Sequence, residues 1–351
     1  MRIAKHLCLL VTGIFVLFTL SASSVFGQAA RQPLDAAIAA QERYTDFLLS
    51  VSGVVGTAVG HDRSGRPVVK IFTETAAAPG LPDFLDGVPV IVQVTGKLHA
   101  LHHNPGHAGG PPGGGGGGSG GSSEPSNTDG WVRPVPIGIS TGNINECSAG
   151  TIAARVTVGS NVFALSNNHV YARENKASIG EEVLQPGRYD TNCAADPGDV
   201  IGQLFDFEPI KFDGSNNTID AAIASSSTSV LGKATPSDGY GTPKTAIASA
   251  VVGQNVQKYG RTSSLTKGVI TGINATVRVG YSSGTAKFVD QIIVESGKPF
   301  IKSGDSGSLL VTDPGSNPVG LLYAGDMSGK LAVANRIDHV LTSFNANIDG
   351  Q

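Results

Sequence analysis

A serine between glycines lies near the end of this 351-residue chain, in the run Gly304-Asp305-Ser306-Gly307, just before an apolar stretch. Glycines on both sides permit a tight turn and let a carbonyl group approach backbone amides closely. We therefore predict that Ser306 is a nucleophile and that the N–H groups of Gly304 and Ser306 form an oxyanion hole. An ordinary Gly/Ser turn is the alternative.

A serine hydroxyl needs a base to accept its proton, and the base needs a carboxylate to orient it. His169 follows an apolar run and a polar turn, which predicts a position just past the end of a strand. His339 is expected on a solvated C-terminal helix instead. Asp220 opens the small apolar run Ala-Ala-Ile-Ala, so it fits the buried carboxylate best. Three other carboxylates compete with it on sequence alone: Asp199, Asp206 and Asp213.

His169, Asp220 and the Gly-Asp-Ser-Gly run around Ser306, in that chain order, resemble the chymotrypsin-fold (trypsin-like) serine proteases. The run from Tyr259 to Gly268 is similar to a segment that opens the second barrel of bacterial secreted members. The resemblance is closest to bacterial relatives of the plant narrow-leaf type proteins. It implies an all-β protease domain of two antiparallel six-stranded barrels, preceded here by a small α+β module.

By this resemblance His169 and Asp220 come from the first barrel and Ser306 from the second, and no metal or organic cofactor is needed. The chain departs from the digestive members at Ser308, where glycine is common. It also has no Arg-Ile-Val-Gly-Gly activation site before Cys147. Pairing of a new N-terminus with Asp305 is therefore not expected.

The resemblance also places Phe300, six residues before the nucleophile, at the base of the pocket for the residue that precedes the cut bond. Phe300 and Ile301, with Tyr323 and Gly325 opposite, then suggest an apolar pocket that does not select Lys or Arg. Simple filling of the barrel core is an equally good interpretation of these residues.

The N-terminal residues 1–27 predict a signal peptide, in which Arg2 and Lys5 precede an apolar run and a small-residue cleavage site follows. The apolar run is shorter than the roughly 20 residues that a membrane-spanning helix needs. We therefore expect a secreted protein, extracellular or periplasmic, without a membrane anchor. Cys147 and Cys193 then form an even pair in an oxidising compartment, which predicts a disulfide rather than a zinc site.

Residues 31–101 predict a small α+β module. Its helix would bury apolar residues on one face, and three β-like runs follow, at 54–59, 67–72 and 88–94. The apolar residues assigned to that face are Leu34, Ala37, Ile38, Tyr44, Phe47, Leu48 and Val51.

A Gly-rich linker at 102–130 separates this front module from a β-rich region at 131–351. The strand candidates of that region include 268–279 and 291–295, and a terminal helix is expected after Asp338. The four histidines flanking the linker predict a solvated tail rather than a metal site: His99, His102, His103 and His107.

Hydrophobic residues make up 40% of the chain and charged residues 15%, at a net charge of −3. This composition is compatible with a globular core, and it supplies no basic field for nucleic acid. The leading interpretation is a secreted serine endopeptidase that acts on protein or peptide substrates. A catalytically silent trypsin-fold protein that binds peptides is the main alternative, and an esterase or lipase is a third. The front module would contact the protease domain as an inhibitor, a folding aid or a recruiter of partners, and the sequence does not choose among these.

Overall fold

The structure, a computed structural model, describes residues 23–76, 78, 80–101 and 124–351. Residues 1–22 of the predicted signal peptide lie outside this range, and residues 23–27 belong to the first helix. The Gly-rich part of the predicted linker, residues 102–123, also lies outside the described residues. Within the described part of the chain, no helix is long and apolar enough to cross a membrane.

The front module consists of one helix and five strands. The helix packs its buried side chains on the first two strands. Gln41 interrupts the apolar face yet is buried there, because its amide donates to Thr57 at 2.7 Å. Phe47, assigned to the buried face from the sequence, is 59% exposed, and Leu49 is buried instead. The elements are α1 Ser23–Ser50, β1 Val54–His61, β2 Pro67–Thr73, β3 Phe84–Leu85, β4 Val88–Val94 and β5 Leu98–Ala100.

The region after the linker contains mostly short strands, one long hairpin, two short helices and two 3-10 turns at 188–191 and 197–199. Its elements up to the second barrel are β6 Ser140–Asn143, β7 Gly150–Thr151, β8 Ala154–Val158, β9 Asn161–Ser166, α2 Asn168–Tyr171, β10 Glu182–Leu184, β11 Val200–Phe207, β12 Asn216–Asn217 and β13 Ala222–Ser226. The remaining elements are β14 Asn255–Gly260, β15 Ser264–Tyr281, β16 Gly284–Glu295, β17 Leu309–Thr312, β18 Pro318–Gly325, β19 Leu331–Arg336, α3 Ile337–Ser343 and β20 Asn347–Ile348.

The first barrel is built from an eight-stranded antiparallel sheet in the order β20-β8-β9-β13-β11-β10-β6-β7. Alternate side chains of its strands fill an interior of Val, Ile, Leu and Ala residues. The expected Cys147–Cys193 disulfide is confirmed, with a Cα–Cα distance of 5.0 Å. It joins the loop between β6 and β7 to the segment between β10 and β11.

The second barrel is a closed ring of six strands, β14 to β19. Its order is β16-β19-β18-β17-β14-β15, and β15 pairs again with β16 to complete the ring. The core between the two barrels combines apolar residues of β8, β9 and β13 with those of β17, β18 and α3. The predicted fold class is thus confirmed.

The front module extends the sheet of the second barrel. Strand β1 pairs antiparallel with β15, so that β2, β4 and β3 continue the same sheet outward. Lys70 of β2 also forms an ion pair with Glu295 of β16 at 3.1 Å, and Gln93 of β4 donates to the same carboxylate. The front module is therefore held against the second barrel by main-chain and side-chain contacts.

Candidate active site

His169 and Asp220 are brought together by two neighbouring strands. His169 lies in α2, directly after β9, and Asp220 lies just before β13, which pairs with β9. The Nδ1 atom of His169 is 2.5 Å from Oδ2 of Asp220, and the His169 backbone N–H donates to Oδ1 at 3.2 Å. Both side chains are buried. This arrangement fixes the ring of His169 with Nε2 as the nitrogen opposite the carboxylate.

Two further side chains hold Asp220. The Tyr281 hydroxyl donates to Oδ2 at 2.8 Å, and the Asp220 backbone N–H donates to Oδ1 of Asn335 at 3.0 Å. The side-chain amide of Asn335 donates in turn to Gln291 at 2.8 Å. Burial and the negative charge of Asp220 raise the pKa of Tyr281 well above its ordinary value. The phenol therefore remains protonated and can donate.

Ser306 lies in the loop before β17, on the second barrel, and is buried. Its hydroxyl donates to the Tyr323 carbonyl oxygen at 3.1 Å, and its own carbonyl accepts from the Thr151 N–H at 2.8 Å. Gly307 has φ +91°, and a Cβ there would lie 2.2 Å from the Thr151 carbonyl oxygen. The serine loop thus docks on β7 of the first barrel, and this docking requires glycine after the serine.

Gly150 of β7 links the serine loop to the segment that carries His169. A Cβ at Gly150 would lie 2.5 Å from Val170 Cγ2 and 3.0 Å from the Ser306 carbonyl oxygen. Val170, the residue after His169, and the backbone of Ser306 therefore both pack on this glycine, which brings the segment of His169 and the serine loop close together.

Asp305, beside the serine, is bound by an internal cation. Lys258 Nζ lies 3.3 Å from its carboxylate, and the backbone N–H groups of Thr262 and Ser263 donate to it at 2.8 and 3.1 Å. Burial lowers the pKa of Lys258, and the Asp305 charge opposes this shift. Asp305 thus has a cationic partner without a new N-terminus, and it fixes the loop in front of Ser306.

A segment of the front module lies along β18 beside the loop of Ser306, and we call this region the cleft. Strand β5 pairs antiparallel with β18, with Ala100 opposite Ala324 and His99 opposite Gly325. Beyond this strand, the Leu101 N–H donates to the Tyr323 carbonyl at 3.3 Å. The Gly304 N–H donates to the Leu101 carbonyl oxygen at 2.6 Å. The expectation that His99 belongs to a solvated tail was wrong, because this residue forms part of β5.

The residues predicted to form a pocket occupy two places. Phe300 and Ile301 are buried in one apolar cluster with Leu101. A Cβ on Gly325 would lie 3.1 Å from Leu101 Cδ1, so this glycine leaves room for the leucine. Tyr323 reaches Leu101 through its carbonyl group, whereas its ring packs on Phe288 at 4.8 Å in a different cluster.

The competing titratable residues lie elsewhere. His339 in α3 is partly exposed and 3.5 Å from Asp290. Asp206 and Asp213 are exposed and accept hydrogen bonds from nearby backbone N–H groups. Asp199 lies in a 3-10 turn and has a raised pKa, because burial and the neighbouring Asp196 both disfavour its charged form.

Four residues around the site were not identified from the sequence: Leu101, Lys258, Tyr281 and Asn335. Tyr281 and Asn335 are far in sequence from Asp220, and neither stands in a motif. Lys258 directly precedes the run 259–268, but its contact with Asp305 requires the pairing of β14 with β15 and β17. No local sequence signal marks any of these contacts.

Comparisons with known proteins give a partial family match and several similar structures. The family model for the Nal1 C-terminal domain matches residues 218–345, a span that contains Asp220 and Ser306 but not His169. Thermobifida fusca protease A is 20% identical, with a TM-score of 0.45 over 62% of this chain and 100% of its own. Cellulomonas bogoriensis chymotrypsin is 19% identical, with a TM-score of 0.42 over 62% of this chain and 99% of its own. No curated protein matches the chain.

The sheet topology of this chain itself defines its fold. A closed six-stranded antiparallel barrel follows a first antiparallel half, and the two pack together through one apolar core. His169 and Asp220 come from the first half and Ser306 from the second, as the sequence resemblance implies. The chain therefore has the double β-barrel fold of the chymotrypsin-like serine proteases.

Proposed function

We propose that this chain is a secreted serine endopeptidase that hydrolyses peptide bonds through Ser306, His169 and Asp220. One observation carries the proposal: the Gly304 N–H, a predicted oxyanion donor, binds a peptide carbonyl oxygen at 2.6 Å beside Ser306. Oxyanion donors act at about 2.7–3.1 Å from the oxygen that they stabilise. The buried His169–Asp220 pair supplies the matching base.

The proposed reaction follows from the roles of these groups. Ser306 Oγ attacks the carbonyl carbon of the substrate while His169 accepts the hydroxyl proton at Nε2. Asp220 stabilises the protonated ring through Nδ1, and the N–H groups of Gly304 and Ser306 stabilise the negative oxygen. His169 then protonates the leaving amine, and water hydrolyses the resulting acyl-enzyme by the same steps in reverse order.

Secretion is part of the proposal and rests on the sequence. The predicted signal peptide would direct the chain out of the cytoplasm and into an oxidising compartment. The Cys147–Cys193 disulfide is stable in such a compartment. Peptide binding in the cleft would use main-chain pairing with β18, as an added strand does in other peptide-binding proteins.

Covalent labelling with a fluorophosphonate, read by intact mass, tests the proposed nucleophile on the full chain before and after limited proteolysis of its front module. Because the Leu101 carbonyl oxygen occupies the Gly304 N–H in the intact chain, we expect one adduct after that proteolysis, and this adduct is lost in Ser306→Ala. Ser308→Ala is the matched control, because Ser308 lies two residues away and its hydroxyl donates to the Asp305 carbonyl at 2.6 Å. His169→Ala should slow labelling by roughly a thousandfold or more, as expected for loss of the general base.

Hydrolysis of a peptide library then separates a protease from a binding protein. Ser306-dependent cleavage of peptides would support the endopeptidase. Folded protein that neither labels nor cleaves after proteolysis of the front module would contradict it and favour the silent peptide-binding scaffold. Turnover of esters without any peptide cleavage would favour an esterase.

A further inference from the structure

Glu174 lies in the loop after α2, the helix of His169, and it is 5% exposed. Its carboxylate accepts hydrogen bonds from the Ser282 N–H at 3.0 Å, the Ser282 hydroxyl at 2.7 Å and the Ser283 N–H at 2.8 Å. Ser282 and Ser283 form the two-residue turn that joins β15 to β16. A buried carboxylate of the first barrel therefore binds the tip of the long hairpin of the second barrel.

The backbone around Glu174 is held in an unfavourable conformation. Arg173, Glu174 and Asn175 have φ angles of +53°, +54° and +71°, in the left-handed region that residues with a Cβ adopt at a cost. Such residues persist where surrounding contacts fix them, and they concentrate at functional sites. Here the Asn175 N–H donates to Asn168 Oδ1 at 3.2 Å, and the Asn168 amide donates back to Asn175 Oδ1 at 2.8 Å. Asn168 directly precedes His169, so the strained loop is fixed to the helix that carries the proposed base.

Tyr281 is the last residue of β15, directly before the turn that Glu174 binds. Its hydroxyl donates to Oδ2 of Asp220 at 2.8 Å, and its ring packs edge-on against His169 with the ring centroids 5.9 Å apart. Tyr281 also pairs with Gly284 across the turn. A two-residue turn leaves no slack between its tip and the residue pair that closes it. Displacement of the turn would therefore displace the Tyr281 hydroxyl.

We propose that Glu174 is a positioning residue of the active site, which holds the hairpin turn in place and thereby sets the Tyr281 hydroxyl on Asp220. This inference rests on the endopeptidase function proposed above. The contacts form a closed circuit, because the loop after α2 binds the turn, and Tyr281 beside the turn binds the carboxylate that orients His169. The hairpin of the second barrel is thus fixed relative to the base itself.

Charged groups from several elements face this circuit. Lys176 Nζ lies 3.6 Å from the Glu174 carboxylate, but its side chain is 54% exposed, so solvent weakens the pair. Glu146, between β6 and β7, is close enough to interact electrostatically with Glu174 and His169, and burial raises its pKa. A direct effect of the Glu174 charge on His169 is thus the alternative to positioning. Burial and the charge of Asp220 raise the pKa of two neighbouring phenols well above its ordinary value: Tyr281 and Tyr323.

The two mechanisms predict opposite shifts of the acid limb of kcat/KM, which reports the protonation of the base in the free enzyme. If Glu174 acts through Tyr281, Glu174→Gln releases the turn and Asp220 loses a donor. More negative charge then acts on the His169 ring, and the midpoint of the acid limb moves to higher pH. If Glu174 acted only as a nearby charge, its removal would destabilise the protonated ring and move the midpoint to lower pH.

Glu174→Gln, Tyr281→Phe and the double variant test whether the two side chains act through one contact. Each variant is made in the full chain and assayed after the limited proteolysis that is used for labelling. Each single variant should lower kcat/KM by about tenfold. The double variant should also lose only about tenfold, because both changes remove the same hydrogen bond to Asp220, whereas independent roles would give about a hundredfold.

Ser282→Ala is a milder change, because it removes one hydrogen bond of Glu174 and leaves the charge in place. It should move the acid limb to higher pH and lower kcat/KM by about twofold to fivefold. Ser283→Ala is the matched control, since Ser283 binds Glu174 through its backbone N–H, which alanine retains. This control should match wild type in both measurements.

The outcomes separate this inference from the function on which it rests. A shift to lower pH in Glu174→Gln, an additive double variant, or equal profiles for the two serine variants would overturn the inference and leave the protease function standing. Absence of labelling and of peptide cleavage in wild type would overturn the function itself. The midpoint of the His169 ring titration, followed by NMR in the intact chain, then still tests the positioning role. It should rise in Glu174→Gln and Ser282→Ala, and an unchanged or lower midpoint would overturn that role.

Discussion

The Tyr281 hydroxyl provides a sharp test of how the His169–Asp220 pair is held. It donates to Oδ2 of Asp220 at 2.8 Å, the same oxygen that binds His169 at 2.5 Å. The side chains of His169 and Asp220 are fully buried, and Tyr281 is partly buried. A hydrogen bond to a charged group contributes about 1.5–3 kcal/mol. If Tyr281→Phe removes about 1.4 kcal/mol of this hydrogen-bond stabilisation from the transition state, kcat/KM falls roughly tenfold.

The pH dependence of kcat/KM distinguishes an electrostatic effect from a loss of folding. Without the phenol, the Asp220 carboxylate accepts one hydrogen bond fewer. More of its negative charge then acts on the His169 ring. The midpoint of the acid limb should therefore move to higher pH in Tyr281→Phe. Tyr281 itself does not titrate in this range, because its pKa lies well above its ordinary value.

Tyr259→Phe is a matched control, because it removes a tyrosine hydrogen bond of 2.6 Å to a different carboxylate, Asp238. Burial, followed by that hydrogen bond, raises the pKa of Tyr259 to about 12. Both variants should lose stability in urea unfolding, but only Tyr281→Phe should change the pH profile. Equal profiles and equal kcat/KM for the two variants would refute the positioning role of Tyr281.

Three further predictions concern stability. Replacing Cys147 with Ser opens a disulfide that spans 46 residues and should lower the free energy of unfolding by about 2–4 kcal/mol in urea titrations. Lys258→Met strands the buried Asp305 carboxylate and should cost about 3–5 kcal/mol, of which the double variant with Asp305→Asn should recover a part. For Glu295, burial is outweighed by hydrogen bonds and the Lys70 charge, which together lower its pKa. Its stabilisation is therefore present above the unfolded pKa of about 4.3 and is lost as the pH falls through the lower folded value. The free energy of unfolding measured in urea should therefore fall over that acid range in wild type, and it should fall less in Glu295→Gln.

The double-barrel fold class was implied by the resemblance of the residues around His169, Asp220 and Ser306, but the extent of the longest hairpin was not predicted. Strand β15 covers Ser264–Tyr281 and β16 covers Gly284–Glu295, whereas the sequence predicted 268–279 and 291–295. Polar residues such as Lys287 and Asp290 interrupt the apolar pattern of this hairpin. Its strands continue because main-chain pairing with each other and with β1 satisfies their backbone groups.

The candidate catalytic side chains could be proposed from residue type, order and local context. Asp220 stood out from other aspartates because it precedes a run of small apolar residues, and those residues are indeed buried. Tyr281 and Asn335 could not be found in this way. Their contacts with Asp220 span 61 and 115 residues, and such contacts depend on the closure of the second barrel.

The contact of Leu101 with the cleft illustrates a more general limit. Recognition by strand addition uses main-chain N–H and C=O groups, which every residue except proline supplies, so most of a bound segment leaves no sequence signature. His99 and Ala100 could change in identity and still pair with β15 and β18. Leu98 and Leu101 have enclosed side chains, so these two residues of the segment are constrained by type. A sequence can therefore indicate the groups that would cut a peptide, while the peptide held beside them becomes evident only from the hydrogen bonds of its backbone.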